Sequence, residues 1–251
     1  MPIATPWVRS LAPRPNARLR LLCFHSAGGG PSLFRDWATA LPADIEVLAI
    51  HLPGHEIRFN EPCLTDYRTT VEQLYPHIRP FLDGVYALFG HSMGALLAYG
   101  IAKAAAEHGD RAPARLLVSG CGGPGTPQRR RGRADWSDDE LVAELRRMGG
   151  TPEEVLAIPT LLEVILPPLR ADYSIFESFA DPGGPQLRCP VSVLGGEDDD
   201  ITPEDLGRWW AVTGADVSPR LFPGGHFFLF GESADEVLTA VTDDLTPAIR
   251  T

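Results

Sequence analysis

Val85-Tyr86-Ala87-Leu88-Phe89-Gly90-His91-Ser92-Met93-Gly94-Ala95-Leu96-Leu97-Ala98-Tyr99 is the stretch that decides the fold. An apolar run, 85–89, enters a G-x-S-x-G pentapeptide, and an alanine-rich helical run, 95–106, leaves it. Strand, tight turn and helix in that order place a serine on a strained corner, with its hydroxyl clear of the sheet and above a helix N-terminus. Small residues at 90 and 94 let neighbouring backbone pass close by.

Outward from this corner, apolar strands alternate with helical stretches. Strands are expected at 18–24, 45–50, 85–89, 115–119, 191–194 and 218–222. Helices are expected at 33–41, 69–82, 95–106, 204–212 and 234–245; Pro76 falls inside the second of these. Alternation of this kind specifies an α/β fold: a mainly parallel sheet flanked by helices on both faces. The alternation breaks once. From 120 to about 185 no strand candidate occurs. A Gly/Pro/Arg loop is followed by the Ser137–Glu140 capping box before the helix 141–148, and by helical stretches at 152–157 and 161–179. Residues 1–251 therefore read as one domain, with about 121–185 as a mostly helical insertion. At the carboxyl ends of the strands, where ligand crevices of such sheets lie, that insertion acts as a lid.

Composition narrows the classes. The chain has 251 residues, 44% hydrophobic and 22% charged, enough to bury a sizeable core. A net charge of −11 argues against nucleic-acid binding. Arg129, Arg130, Arg131 and Arg133 form a local basic knot, read either as a solvated loop or as a docking patch for an acidic partner. No apolar run is long enough to span a bilayer and the proline-rich N-terminus lacks the apolar stretch of a signal peptide, so a cytoplasmic location is expected. A monomer is the expectation, with no motif that fixes the oligomeric state. Cys23, Cys63, Cys121 and Cys189 show neither C-x-x-C nor zinc spacing, and Cys23, Cys121 and Cys189, in or beside expected strands, read as small buried hydrophobes, with no metal or other cofactor implied.

A serine needs a base, and in this architecture the order is nucleophile, acid, histidine. Of seven histidines, His226 alone follows the last expected strand, in Phe222-Pro223-Gly224-Gly225-His226. His91 adjoins the serine, but its side chain should point away from the hydroxyl, which gives it a packing role. The acid falls in Gly195-Gly196-Glu197-Asp198-Asp199-Asp200-Ile201. The spacing Gly-Glu-x-Asp-x-Ile selects Asp199, while counting back from Trp209 favours Asp198. The catalytic candidates are thus Ser92, Asp199 (alternatively Asp198) and His226. Two backbone donors are needed for an oxyanion. The N–H of Met93 and that of Ala27, in the glycine-rich loop after the first strand, are placed for it.

Four motifs together resemble one known family. They are Phe24-His25-Ser26-Ala27-Gly28-Gly29, Leu52-Pro53-Gly54-His55, Leu88-Phe89-Gly90-His91-Ser92-Met93-Gly94-Ala95 and Pro223-Gly224-Gly225-His226-Phe227-Phe228-Leu229. They look like the type II thioesterases of the α/β-hydrolase superfamily, discrete enzymes accompanying polyketide synthases, nonribosomal peptide synthetases and animal fatty acid synthases. The similarity runs through nearly the whole chain, including Leu166–Tyr173. The chain departs from the family in having Ser26 where His usually precedes Ala-Gly-Gly, and His55 where Arg often follows Pro-Gly. The resemblance implies hydrolysis of acyl thioesters on the phosphopantetheine arm of an acyl or peptidyl carrier protein, through an acyl-enzyme, for editing or release. Leu162, Ile165, Leu166, Leu169 and Phe176, with Leu161, are then candidates for an apolar acyl chamber in the lid, or for simple lid packing. A free carboxylesterase or lipase, a releasing cyclase, and a non-catalytic carrier-binding protein are the competing readings.

Overall fold

The computed structural model describes residues 5–127 and 132–250; Arg129, Arg130 and Arg131 of the basic knot lie outside them. Its strands are β1 (Val8–Ser10), β2 (Leu19–Phe24), β3 (Ile45–Ile50), β4 (Tyr86–His91), β5 (Leu116–Ser119), β6 (Val191–Gly196) and β7 (Arg220–Phe222). They form one sheet in the order β1-β3-β2-β4-β5-β6-β7. Every pairing is parallel except that of β1, which runs antiparallel along β3 with Val8 opposite Ile50. The mainly parallel sheet expected from the strand–helix alternation is observed, in keeping with the α/β-hydrolase fold that the resemblance implies.

Side-chain alternation along the strands builds two cores. Leu22, Phe24, Leu48, Ile50, Leu88 and Val118 face one layer. Their neighbours Leu21, Cys23, Val47, Ala49, Phe89 and Leu117 face the other. Successive side chains of a strand point to opposite faces, so a strand buried on both reads as continuously apolar. The helices are α1 (Arg35–Ala40), α2 (Tyr67–Ile78), α3 (Met93–Glu107), α4 (Asp138–Met148), α5 (Glu153–Leu156), α6 (Pro159–Glu177), α7 (Pro203–Gly207), α8 (Trp210–Thr213) and α9 (Ala234–Arg250). Trp37 of α1 and Val237, Val241 and Leu245 of α9 pack into the second core; α2 and α3 pack into the first. Alanine and glycine on α3 let it sink until nearly every side chain is buried.

Several boundaries differ from the sequence expectation. Helix α2 starts earlier because Asp66 caps it, its carboxylate accepting from the Thr69 N–H at 2.8 Å, and it carries Pro76 without ending there. The expected helix 204–212 divides into α7 and α8. Trp209, fully buried at the break, donates its indole N–H to Cys121 O at 2.8 Å. Between β5 and β6 lie α4, α5 and α6, with no strand among the described residues. The Ser137–Glu140 capping box is formed in both directions.

The turn from β4 to α3 depends on missing side chains. A Cβ on Gly90 would lie 2.1 Å from Gly94 O, and one on Gly94 would lie 2.2 Å from Phe24 O. Both obstacles are backbone, of the first turn of α3 and of the end of β2, and cannot rotate away. Gly94→Ala is therefore expected to destabilise the fold by about 3–5 kcal/mol, the range reached by severe overpacking. Gly207→Ala, at a helical site with nothing within 4 Å of the added carbon, should change stability by about 1 kcal/mol or less. Urea midpoints of the two variants test the contrast; equal midpoints would show that the elbow tolerates the methyl.

Candidate active site

Ser92 sits at φ 55°, ψ −120° between β4 and α3, one of two non-glycine residues with positive φ among the described residues. Such a conformation costs on the order of 1–3 kcal/mol and persists where its surroundings enforce it. Here the Ser92 N–H donates to Ser119 O of β5 at 2.8 Å, while glycines at 90 and 94 remove every side-chain obstacle. Met93 is the first residue of α3, so its N–H has no carbonyl one turn back to bond and adds to the positive end of the helix dipole.

The loops after β6 and β7 are laced together. Glu197 N–H donates to Phe222 O at 2.9 Å and Asp198 N–H to Gly224 O at 3.0 Å. A Cβ on Gly196 would lie 2.3 Å from Gly225 O, so glycine there is what lets the loops approach. This brings His226 Nδ1 to 2.8 Å from Asp199 Oδ2, with the two side chains 8% and 5% exposed. Asp198 is exposed. With Nδ1–H donated to the carboxylate, His226 Nε2 carries the lone pair. That atom is buried without a hydrogen-bond partner, and His226 borders the same cavity as Ser92. The ring is held against His91 at 4.8 Å between centroids and by the edge of Phe227 at 5.3 Å. His91 turns its Nδ1 to Ser119 Oγ at 3.0 Å. Burial, followed by the neighbouring His226, holds its pKa well below the usual imidazole value, so it stays neutral beside the site.

Ser92, Met93, Ala27, His226 and Asp199 all border one cavity of about 340 Å³, in the size range of small-ligand sites. It is lined from the other side by Leu145 and Met148 of α4 and by Leu169, Tyr173 and Phe176 of α6. Arg133 also reaches it, its guanidinium 4.4 Å over the Tyr173 ring. Of the expected chamber residues, Leu169 and Phe176 reach this cavity. Leu162, Ile165 and Leu166 do not, and this corrects their assignment as substrate-binding: they pack in a satellite cluster with Leu141 and Trp136. Leu161 is 39% exposed. Sequence reasoning missed Tyr173, Leu145, Met148 and Phe179 as lining residues; the first three belong to helical stripes that look like ordinary core, and Phe179 lies just past the end of α6.

The four cysteines are free, and Cys121, at the cavity wall, is pushed by burial to a pKa of about 12, so it remains a thiol. Among the described residues one cluster has donor atoms close enough for a metal ion: His25, His55 and Asp172, within 4.8 Å of one another. None of the three borders the cavity of Ser92 and His226, and the cluster was not foreseen from sequence. No helix among the described residues is long and apolar enough to cross a membrane.

A parallel sheet bearing an elbow serine, an acid loop after β6 and a histidine loop after β7 defines an α/β hydrolase. Comparison with known proteins narrows this. The thioesterase-domain family model matches residues 19–245. The gramicidin S biosynthesis protein GrsT of Aneurinibacillus migulanus is 37% identical over 223 residues, covering 88% of this chain and 87% of that protein. Thioesterase PikA5 of Streptomyces venezuelae is 35% identical, covering 95% and 85%. The solved type II thioesterase BorB from the borrelidin biosynthetic cluster superposes with a TM-score of 0.87 at 37% identity, over 97% of this chain and 99% of that one. The chain belongs to the thioesterase family and is a hydrolase acting on thioesters.

Proposed function

We propose that the chain removes acyl groups from the phosphopantetheine arm of an acyl or peptidyl carrier protein, for editing or release in polyketide or nonribosomal peptide assembly. It acts through Ser92, His226 and Asp199. The observation that carries the reading is the buried His226–Asp199 pair, which leaves Nε2 unpartnered and borders one cavity with the elbow serine. Ser92 Oγ attacks the thioester carbonyl as His226 Nε2 takes its proton. The negative oxygen is stabilised by the Met93 and Ala27 amides. The tetrahedral adduct collapses, the C–S bond breaks, and the arm leaves as thiol with the proton from His226. Water, deprotonated by the same nitrogen, then hydrolyses the acyl-enzyme. Asp199 holds the tautomer and stabilises the imidazolium.

The helices between β5 and β6 act as a lid over this chemistry. Leu145, Met148, Leu169, Tyr173 and Phe176 form the acyl wall, and apolar burial of the chain there supplies binding energy. The relatives named for antibiotic biosynthesis support a carrier-bound substrate, and a cytoplasmic place beside the assembly line accords with it. Arg129 to Arg131 are a candidate contact for the acidic carrier.

Binding energy from the carrier and arm should be spent in the transition state. The expected result is a kcat/KM for an acyl carrier protein about 100-fold above that for the p-nitrophenyl ester of the same acid, equivalent to roughly 2.7 kcal/mol. Equal or faster turnover of the ester would favour a free esterase. Release of macrolactone rather than acid from a long hydroxyacyl carrier would favour a cyclase.

A further inference from the structure

We infer that Asp172, reaching down from α6, and His55, in the turn after β3, form an ionic clamp that fixes the loop bearing the Ala27 amide. Both are positioning residues for the hydrolytic reaction. The inference rests on the proposed oxyanion role of that amide. Asp172 is fully buried. Its Oδ2 accepts the Gly28 N–H at 2.8 Å and faces His55 Nε2 at 2.9 Å. The same α6 turn carries Leu169 and Tyr173, which wall the cavity. One carboxylate therefore ties the acyl wall to the residue next to the oxyanion donor. Gly28 makes the close approach possible: it sits at φ +71°, and a Cβ there would lie 3.0 Å from Leu169 Cδ1.

The protonation state follows from the acceptors. His55 Nδ1 lies 2.9 Å from Pro53 O and its Nε2 2.9 Å from the Asp172 carboxylate. Both partners accept, so both nitrogens must donate, and the ring is an imidazolium. Burial opposes that charge, but the charge and hydrogen bond of Asp172, with Pro53 O and Glu56, outweigh it and raise the pKa. The other groups around the ring are His25, His51, Arg58 and Cys63. His25 stands 4.9 Å away between ring centroids and gives its Nδ1–H to Ser26 O. Burial and then His55 lower its pKa to about 4, so it is neutral. His51 Nε2 meets His55 O, and the Arg58 guanidinium donates to His51 O. Cys63 packs on Gly54, and burial, then Asp172, raises its pKa.

A raised His pKa means the clamp is complete below the ordinary value near 6.5 and is lost as pH climbs through the higher folded-state value. The window of loss therefore lies on the alkaline side. The same three side chains form the cluster that a metal ion could occupy. The 2.9 Å separation of His55 Nε2 and Asp172 Oδ2 is that of a hydrogen bond, whereas two ligands of one zinc stand about 3.3 Å apart when bonds of about 2.0–2.1 Å are tetrahedral.

The test is thioester hydrolysis by wild type, Asp172→Asn, His55→Phe and His55→Gln across pH 6–10, with thermal melts and with fluorophosphonate labelling of Ser92. Asp172→Asn and His55→Phe are expected to lower kcat about 10–100-fold with KM little changed, the scale set by misplacing a catalytic group by about 1 Å. His55→Gln keeps a donor toward Asp172 that does not titrate. It should recover most of the kcat lost in His55→Phe and lack the alkaline limb shown by wild type. Wild-type kcat and pH profile in Asp172→Asn would overturn the clamp; should that variant not fold, a wild-type alkaline limb in His55→Gln would overturn it instead. Loss of wild-type activity to a chelator, restored by zinc, would replace the proton with a metal. An inactive, unlabelled wild type would instead defeat the triad reading itself.

Discussion

Ser92→Ala is expected to lower the kcat of acyl-carrier hydrolysis by about 10⁵–10⁶, and His226→Ala by a similar factor, because nucleophile and base act as a unit. The double variant should be no slower than either single one. Fluorophosphonate labelling should vanish with the hydroxyl. Neither change should unfold the chain, since the elbow is held by backbone: the Ser92 N–H on Ser119 O and the close approach of Gly90 to Gly94. Ser92→Gly separates strain from chemistry. It should be as inactive as alanine yet more stable than wild type by about 1 kcal/mol, because glycine accepts φ 55° without penalty. Single-turnover assays and urea melts read the two effects independently. Hydrolysis within about 100-fold of wild type in Ser92→Ala would leave little of the roughly 8 kcal/mol that a nucleophile is asked to supply at that site, and would return the chain to a carrier-binding role.

What could be read in the sequence was what is local or ordered along the chain. The elbow is one contiguous strand, turn and helix, and His226 follows the last strand in a Pro-Gly-Gly turn, so both were visible without coordinates. Buried strands such as β2 and β4 are apolar on both faces and hard to miss. Strand β1 was missed because three residues in a proline-rich segment carry no period; it exists by pairing with β3. The stripe 162, 166, 169, 173 and 176 on α6 has one apolar face by spacing. Spacing alone does not say which part of that face borders the cavity: Leu169, Tyr173 and Phe176 do, while Leu162, Ile165 and Leu166 pack with Leu141 and Trp136. Asp172, His55 and Gly28 were illegible for a different reason. Asp172 lies 117 residues from His55 and 144 from Gly28, and no local pattern links them.

The four acids after β6 show the limit of spacing most sharply, and Asp199→Asn against Asp198→Asn tests how the loop resolves it. All four positions carry a carboxylate in Glu197 to Asp200, so residue type cannot choose among them. Backbone geometry does. Asp198 spends its N–H on Gly224 O and leaves its side chain exposed, while the next residue turns its carboxylate inward to His226 Nδ1. Asp200 is engaged by Arg147 of α4 at 2.8 Å, so its charge serves the contact between that helix and this loop. Asn at 199 presents an amide N–H as readily as a carbonyl to Nδ1. It therefore admits the tautomer with the proton on Nε2, where the ring cannot accept the serine proton, and it leaves the forming imidazolium without a counter-charge. Asp199→Asn is expected to lower kcat by about 10³–10⁴. Asp198→Asn should stay within about twofold, the rate equivalent of the roughly 0.5 kcal/mol typical of surface changes. Steady-state assays on one acyl carrier compare them directly. The reverse ranking would require the 197–200 turn to rotate by one residue, breaking the Asp198–Gly224 bond, and would move the acid to Asp198.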